Sequence, residues 1–230
     1  MGTSVDMSRF TMQSGTLPLD LDHSPDTGVI ALGHEAVILQ GFATAHATQL
    51  LDAIKAVSAA APFRHLVTRG GWKMSVAMTN CGELGWVSDR SGYRYDPVDP
   101  ETGRAWPAMP AVFRDLAVEA AAAAGFPHYA PDACLINEYR PGARLSLHQD
   151  RNERDSIAPI VSVSLGVSAT FLWGGLLRTN RPCRIPVTHG DVAVWGGVDR
   201  MTFHGIAELA QGQHPLTGDR RYNLTFRVAR

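Results

Sequence analysis

Long hydrophobic runs, a marked excess of charge of either sign and paired cysteines are all missing from this sequence. No stretch of about 18 apolar residues occurs, so we expect no membrane-spanning helix and no membrane partner. The formal net charge is −1, whereas proteins that hold long stretches of duplex nucleic acid are usually strongly basic. Any contact with nucleic acid should therefore be short and local.

Cysteine is scarce, and the three cysteines lie far apart and outside any paired metal-ligand spacing: Cys81, Cys134 and Cys183. This usage is typical of free thiols in a reducing compartment. The N-terminal segment carries charged residues and no apolar stretch, which argues against a secretory signal. We therefore expect a cytoplasmic protein, and we expect it to be a monomer.

The domain organisation follows from length and from local composition. With 230 residues, of which 45% are hydrophobic, the chain can form one domain with a large core. Residues 1–28 lack periodicity and predict a flexible tail before a single domain at 29–230. Residues 66–106 are rich in Gly, Trp, Tyr, Asp and Pro, and we interpret them as a lid of short strands and loops over a substrate site.

Periodicity predicts two helices followed by many short strands. Apolar residues at helical spacing from Ala47 to Val57 predict a helix capped by Thr44, and a second helix should run from Pro110 to Gly125. After a short strand at 36–39, alternation with period two predicts strands at 133–139, 144–148, 159–165, 169–173, 184–187, 191–195, 201–204 and 221–228. This pattern indicates a mainly β protein with flanking helices (α+β), a double-stranded β-helix or jelly roll over 132–228.

A candidate metal site is present in His148-Gln149-Asp150. Residues i and i+2 of a strand point to the same face, so the imidazole and the carboxylate could chelate one divalent ion. His204, on a late strand, would complete a two-histidine, one-carboxylate set that leaves coordination positions open on iron. Taken alone, an H-x-D tripeptide is a weak signal.

A second candidate site lies on the strand at 221–228. One face of this strand carries the polar side chains of Arg221, Asn223, Thr225 and Arg227. Two arginines on one face can bind a dicarboxylate, because each guanidinium bonds a carboxylate bidentately. The alternative is an edge strand whose polar face meets water. Asn137 and Tyr139 share a face of the strand at 133–139 and could supply further hydrogen bonds.

Aromatic side chains are concentrated in the predicted lid. Trp72, Trp86, Tyr93 and Tyr95 lie there among glycines, with Met74 and Met78 near by. Such rings can stack on nucleobases. The alternative is a small satellite core beneath the lid.

Long collinear segments of residues 30–228 resemble the bacterial AlkB DNA-repair dioxygenases. The segments are PDACLINEYRPGARLSLHQD, APIVSVSLG, HGDVAVWGG and RRYNLTFR, and the lid of that family resembles GGWKMSVAMTNCGELGW and YRYDP. The resemblance implies an Fe(II)- and 2-oxoglutarate-dependent dioxygenase. It implies that Fe(II) is held by His148, Asp150 and His204.

The resemblance also implies roles for the remaining candidates. For 2-oxoglutarate it implies contacts from Asn137, Tyr139 and Asn223, with Arg221 on the C1 carboxylate and Arg227 on the C5 carboxylate. For the substrate it implies stacking of a flipped base between Trp86 and His148, with further contacts from Tyr93, Arg94, Tyr95 and Arg178. The family carries Asp where this chain has Asn152, which affects base preference.

The implied reaction is oxidative demethylation of bases of the 1-methyladenine and 3-methylcytosine type. It consumes O2 and 2-oxoglutarate, releases formaldehyde, succinate and CO2, and repairs alkylated DNA by direct reversal. Because a duplex hides the reacting atom, the substrate would be single-stranded or locally flipped DNA. RNA stays open as a second substrate. Two alternatives stay open from the residues: an oxygenase that acts on RNA or on a protein side chain, and a non-catalytic metal-binding jelly roll.

Overall fold

The computed structural model describes residues 28–155 and 157–230. Residues 1–27 of the predicted tail lie outside the described residues. No helix within these ranges is long and apolar enough to cross a membrane.

The described residues contain two α-helices, two 3₁₀ turns and thirteen strands. The helices are α1 (Ala47–Ala60) and α2 (Ala111–Ala123), and the 3₁₀ turns are Thr44–His46 and Gly197–Asp199. The strands are β1 (Val29–Ala31), β2 (Ala36–Leu39), β3 (Ala77–Gly82), β4 (Gly85–Asp89), β5 (Gly92–Asp96), β6 (Ala133–Tyr139), β7 (Leu145–His148), β8 (Ile160–Gly166), β9 (Ala169–Trp173), β10 (Cys183–Val187), β11 (Val192–Trp195), β12 (His204–Ile206) and β13 (Arg221–Arg227).

Two antiparallel sheets form the body of the protein. The larger has the order β1-β2-β11-β8-β13-β6-β3 and the smaller the order β10-β9-β12-β7, while β4 and β5 form a separate hairpin. The inner faces pack together: Phe171 of the small sheet lies 6.1 Å from Trp195 of the large one, between ring centroids. This arrangement confirms the predicted jelly roll.

The helices cover the outer face of the large sheet. Leu50, Ile54 and Phe113 are buried there, and the ring of Phe113 meets Phe226 of β13 edge-on at 6.1 Å. The two faces of β13 therefore lie in different environments. Leu224 and Phe226 face the helices, while the polar residues between them face the small sheet. Since β13 lies between β6 and β8, the alternative of an edge strand in water is wrong.

Most element boundaries agree with the sequence pattern. Seven of the eight late strands match within one residue at each end, but the strand predicted at 201–204 lies at His204–Ile206. The preceding residues are still in a turn, in which the Thr202 N–H donates to the Asp199 carbonyl at 3.0 Å. Thr44 does not cap α1, because it begins a 3₁₀ turn and its side chain makes no capping hydrogen bond.

The predicted lid is divided between two structures. β3, which lies inside 66–106, pairs with β6 and is an edge strand of the large sheet. The β4–β5 hairpin stands apart from both sheets. Only the hairpin and its flanking loops are therefore free to act as a cover.

Candidate active site

Strand pairing in the small sheet brings two histidines together. His148 ends β7, His204 begins β12, and the two are register partners. Asp150 lies beyond the end of β7, so it is not the same-strand neighbour that the sequence predicted. Its carboxylate nevertheless turns back, with Oδ1 at 3.8 Å from His148 Nε2 and Oδ2 at 3.7 Å from His204 Nε2. Each of the three residues offers a ligand atom, and these atoms lie within 4.8 Å of one another.

Backbone carbonyls orient both imidazoles. Nδ1 of His148 donates to the Ser146 carbonyl at 2.9 Å, and Nδ1 of His204 donates to the Thr202 carbonyl at 3.0 Å. This tautomer leaves Nε2 free as a metal ligand. Burial, with His148 near by, lowers the pKa of His204 to about 3, so the ring is neutral at pH 7.

The carboxylate of Asp150 is buried but kept ionised. Burial alone would raise the pKa of Asp150, but Arg227 and the two histidines lower it well below its usual range. Arg227 donates to Oδ2 through Nε at 3.2 Å and through Nη2 at 3.0 Å. Two neutral imidazoles and one carboxylate are a ligand set that suits Fe(II), so the residues present fit this ion.

Arg221, at the opposite end of β13 from Arg227, is a buried cation without an acidic partner among the described residues. Its side chain is 2% exposed; Nη2 donates to Ser164 Oγ at 3.0 Å, and the guanidinium carbon lies 4.8 Å from the ring centroid of Tyr139. Within the described residues, Nε and Nη1 of Arg221 and the Tyr139 hydroxyl have no hydrogen-bond partner. Burial lowers the pKa of Arg221, which an anion would reverse. The site therefore fits a carboxylate.

One cavity of about 640 Å³ connects these groups. Of the residues that the sequence singled out, its lining contains His148, Asp150, His204, Asn137, Tyr139, Arg221, Asn223, Thr225, Arg227, Trp72, Met74, Met78, Trp86, Tyr93, Asn152 and Arg178. Arg94 and Tyr95 are not among the lining residues. The cavity thus extends from the buried Arg221 past the triad to the hairpin.

The β4–β5 hairpin forms one side of the cavity mouth. Trp86 and Tyr93 stack on each other, with ring centroids 5.5 Å apart and planes 14° apart. Trp86 Nε1 donates to Asn152 Oδ1 at 3.5 Å, so Asn152 lines the cavity mouth, where its side chain is also exposed to solvent. Both lid aromatics line the cavity.

Arg94 and Tyr95 lie differently from the expected substrate contacts. Arg94 pairs with Val87 on the opposite face of the hairpin, where its guanidinium binds Asp89 at 2.8 Å. The hydroxyl of Tyr95 donates to Glu153 Oε1 at 2.6 Å, underneath the lid. Successive side chains of a β-strand point to opposite faces, so Arg94 cannot lie on the same face of the hairpin as Tyr93.

Residues 35–227 match the 2OG-Fe(II) oxygenase superfamily. The alpha-ketoglutarate-dependent dioxygenase AlkB of Escherichia coli (strain K12) is 56% identical over 213 residues, which are 93% of this chain and 98% of that protein. The chain belongs to the AlkB family. An AlkB homolog of Caulobacter vibrioides is 45% identical over 182 residues, covering 79% of this chain and 81% of the homolog. The solved structure of OsALKBH1 superimposes with a TM-score of 0.75 at 27% identity, over 87% of this chain and 99% of that one.

Behind the metal ligands of this AlkB-family chain lies a charge network that the sequence analysis missed. Glu153 accepts from Arg200 Nη2 at 3.1 Å and lies 3.4 Å from Arg227 Nε, and all three side chains are buried. Arg200 Nη1 also donates to the backbone carbonyl of Asp150 at 3.0 Å. The network holds Arg227 and Asp150 in place, and the only sequence signal for it was the nearness of Glu153 to Asp150.

Asn80 of β3 was also missed. Its side chain accepts from the backbone N–H of Trp86 and donates to the carbonyl of the same residue, both at 3.0 Å. Asn80 is buried and cannot contact a ligand directly at the mouth. It therefore positions the indole of Trp86 from beneath.

Proposed function

We propose that this dioxygenase removes alkyl groups from ring nitrogens of DNA bases, as in 1-methyladenine and 3-methylcytosine, and so repairs DNA by direct reversal. The products are formaldehyde, succinate and CO2. The observation that carries the proposal is the single cavity that joins the His148, Asp150 and His204 triad to the unpaired Arg221 and to the stacked Trp86. The similarity to the Escherichia coli AlkB dioxygenase supports it.

In this proposal, His148, Asp150 and His204 hold Fe(II), and the two arginines divide the carboxylates of 2-oxoglutarate. The C1 carboxylate and the 2-oxo group bind beside the metal, which is where Arg227 lies. Arg221, farther from the triad along β13 and without a carboxylate partner in the described part of the chain, receives the C5 carboxylate. This assignment reverses the expectation from the resemblance, because Arg227 contacts Asp150.

Asn137, Tyr139 and Asn223 complete the binding site for 2-oxoglutarate. Asn137 Nδ2 donates to Asn223 Oδ1 at 3.0 Å, which fixes both amides, and the Tyr139 hydroxyl has no partner among the described residues. Bound Fe(II) and 2-oxoglutarate supply oxidation of the alkyl carbon by O2, after which the hydroxymethylated base loses formaldehyde. The protein contributes positioning and exclusion of water.

The target base enters at the mouth, between the indole of Trp86 and the ring of His148, whose side chain is one-third exposed. Asn152 accepts a hydrogen bond from the exocyclic amino group of the base, and Arg178 contacts its edge. Methylation at N1 of adenine or N3 of cytosine prevents Watson–Crick pairing, so such a base leaves the stack at lower cost. This suits a chain of net charge −1, because proteins that hold long stretches of duplex through many phosphates are usually strongly basic.

The proposal is tested by release of formaldehyde and succinate with Fe(II) and 2-oxoglutarate. Substrates are methylated DNA oligonucleotides, the same sequences as RNA, and a methylated peptide, with the Asp150→Ala variant as control. We expect equal amounts of the two products from DNA and none from the variant. Release from the peptide alone would contradict the proposal.

The single domain at 29–230, the cytoplasmic location and the monomeric state stay predictions.

A further inference from the structure

The loop 174–182 between β9 and β10, the leucine turn, presents two neighbouring leucines to solvent. Leu176 is 61% exposed and Leu177 is 65% exposed. The next residue, Arg178, lines the cavity that contains the metal triad. Single exposed apolar side chains are common, but a pair at the mouth of an active site is a candidate contact surface.

Hydrogen bonds hold the leucine turn in one conformation. The Leu177 N–H donates to Asn180 Oδ1, and the Asn180 N–H donates back to the Leu177 carbonyl, both at 3.0 Å. At the base of the turn, the Gly175 carbonyl accepts from the N–H of Phe203 at 2.9 Å. Phe203 directly precedes His204, so the turn is fixed within a few residues of the triad.

The charge around the leucines is of one sign. The segment 174–187 contains Arg178, Arg181 and Arg184 and no acidic residue. All three arginines are exposed, and none forms an ion pair within residues 28–155 and 157–230. Apolar side chains flanked by free guanidinium groups complement a nucleic-acid duplex, in which stacked bases lie between rows of phosphates.

We infer that Leu176 and Leu177 form a wedge that enters a DNA duplex and fills the space left when the damaged base moves into the cavity. Arg181 and Arg184 then bind the flanking phosphates. A base that leaves the duplex takes its stacking contacts with it, and inserted apolar side chains replace those contacts. A single strand has no partner base to separate, so it does not need the wedge. The inference rests on the proposed function.

The double variant Leu176→Ser/Leu177→Ser tests whether the two leucines are needed on a duplex and not on a single strand. Initial rates of formaldehyde release are compared on one methylated strand, alone and annealed to its complement. The duplex rate should fall by at least about tenfold, since unstacking is no longer compensated, while the single-strand rate stays within about twofold. Leu216→Ser is the matched control, because Leu216 is an exposed leucine that does not line the cavity, and it should change neither rate.

A second measurement needs no turnover. A duplex with 2-aminopurine beside the methylated base is titrated with enzyme, Fe(II) and 2-oxoglutarate without oxygen. Unstacking should raise the fluorescence with the wild type and not with the double variant. The wedge is overturned if the double variant loses the same fraction of its rate on the single strand and on the duplex, or if it loses no rate at all. It is also overturned if the wild type acts on single strands only. If the wild type demethylates neither form, the proposed function fails, and the fluorescence alone decides on the wedge.

Discussion

Arg221 shows how one side chain can identify the cosubstrate. Its guanidinium is buried with Nε and Nη1 unpaired among the described residues, and such a charge is costly unless an anion joins it. Arg227, on the same strand, already has Asp150 and Glu153 beside it. The two arginines therefore look alike in the sequence, but among the described residues only Arg227 has acidic partners.

Arg221→Lys is expected to raise the KM for 2-oxoglutarate by at least about tenfold, because an ammonium group cannot bond a carboxylate bidentately. The KM for methylated oligonucleotide should change little. Succinate release against 2-oxoglutarate concentration measures this. Arg220→Lys is the control, since Arg220 lies on the outer face and binds Glu138. An unchanged KM for 2-oxoglutarate would remove Arg221 from the cosubstrate site.

Asn152→Asp is expected to raise kcat/KM several-fold for cationic methylated bases and not for a neutral etheno adduct. A carboxylate accepts a charge-assisted hydrogen bond from the exocyclic amino group, worth about 1 kcal/mol more than an amide acceptor. Asn152 lines the cavity beside Trp86, so the acceptor is correctly placed. Kinetics on both lesion types measure the difference. An equal effect on the two lesions would mean that Asn152 does not contact the base.

At the scale of elements, the lid region is attached to the body by separate polar contacts. Asn80 of β3 holds Trp86 of β4, and Glu153 holds Tyr95 of β5. The loop that follows β5 is held by Asp99, which is buried and accepts two hydrogen bonds of 2.6 Å from Arg64.

Asp99 should make the lid region sensitive to acid. Burial would raise the pKa of Asp99, but the hydrogen bonds of Arg64 hold it below its ordinary value of about 3.9. A depressed pKa in the folded state stabilises the protein above the unfolded value, and this stability is lost as the pH falls below about 4. Asp99→Asn should therefore lower the free energy of unfolding at pH 7 by about 3 kcal/mol.

Melting temperatures between pH 3 and pH 7 test this prediction. The gap between wild type and Asp99→Asn should be largest at pH 7 and narrow towards pH 3. Asp52→Asn is the control, because the Asp52–Lys55 pair is exposed and such pairs contribute little. A gap independent of pH would mean that the Asp99 carboxylate is not the source of the stability.

For the whole molecule, cosubstrate binding should add to stability. At a free concentration of about 100 times Kd, a ligand adds about 2.7 kcal/mol, or roughly 5–10 °C in Tm for a domain of this size. We expect one increment with metal alone and a second with 2-oxoglutarate, and Arg221→Lys should keep the first and lose most of the second. A non-catalytic metal-binding jelly roll would show the first increment only.

The sequence predicted those parts of the molecule that leave a periodic or chemically distinctive pattern. The alternation of β13 identified both faces of the strand, and the H-x-D spacing together with a histidine on a late strand predicted the cluster of His148, Asp150 and His204. Glu153 and Arg200 were missed because a buried ion pair between residues 47 positions apart leaves no local pattern. β3 was assigned to the lid because its glycine- and tryptophan-rich surroundings hid its pairing with β6.

The position of β13 in the large sheet has a consequence for hydrogen exchange. Both neighbours of β13 are strands, so we expect its amides to exchange mainly through unfolding of the whole domain. The β4–β5 hairpin has two strands and no third, and its amides should exchange through local opening. We therefore expect the arginines proposed for the cosubstrate to lie on a slowly exchanging strand, and the aromatic rings proposed for base capture to lie on a hairpin whose amides exchange faster.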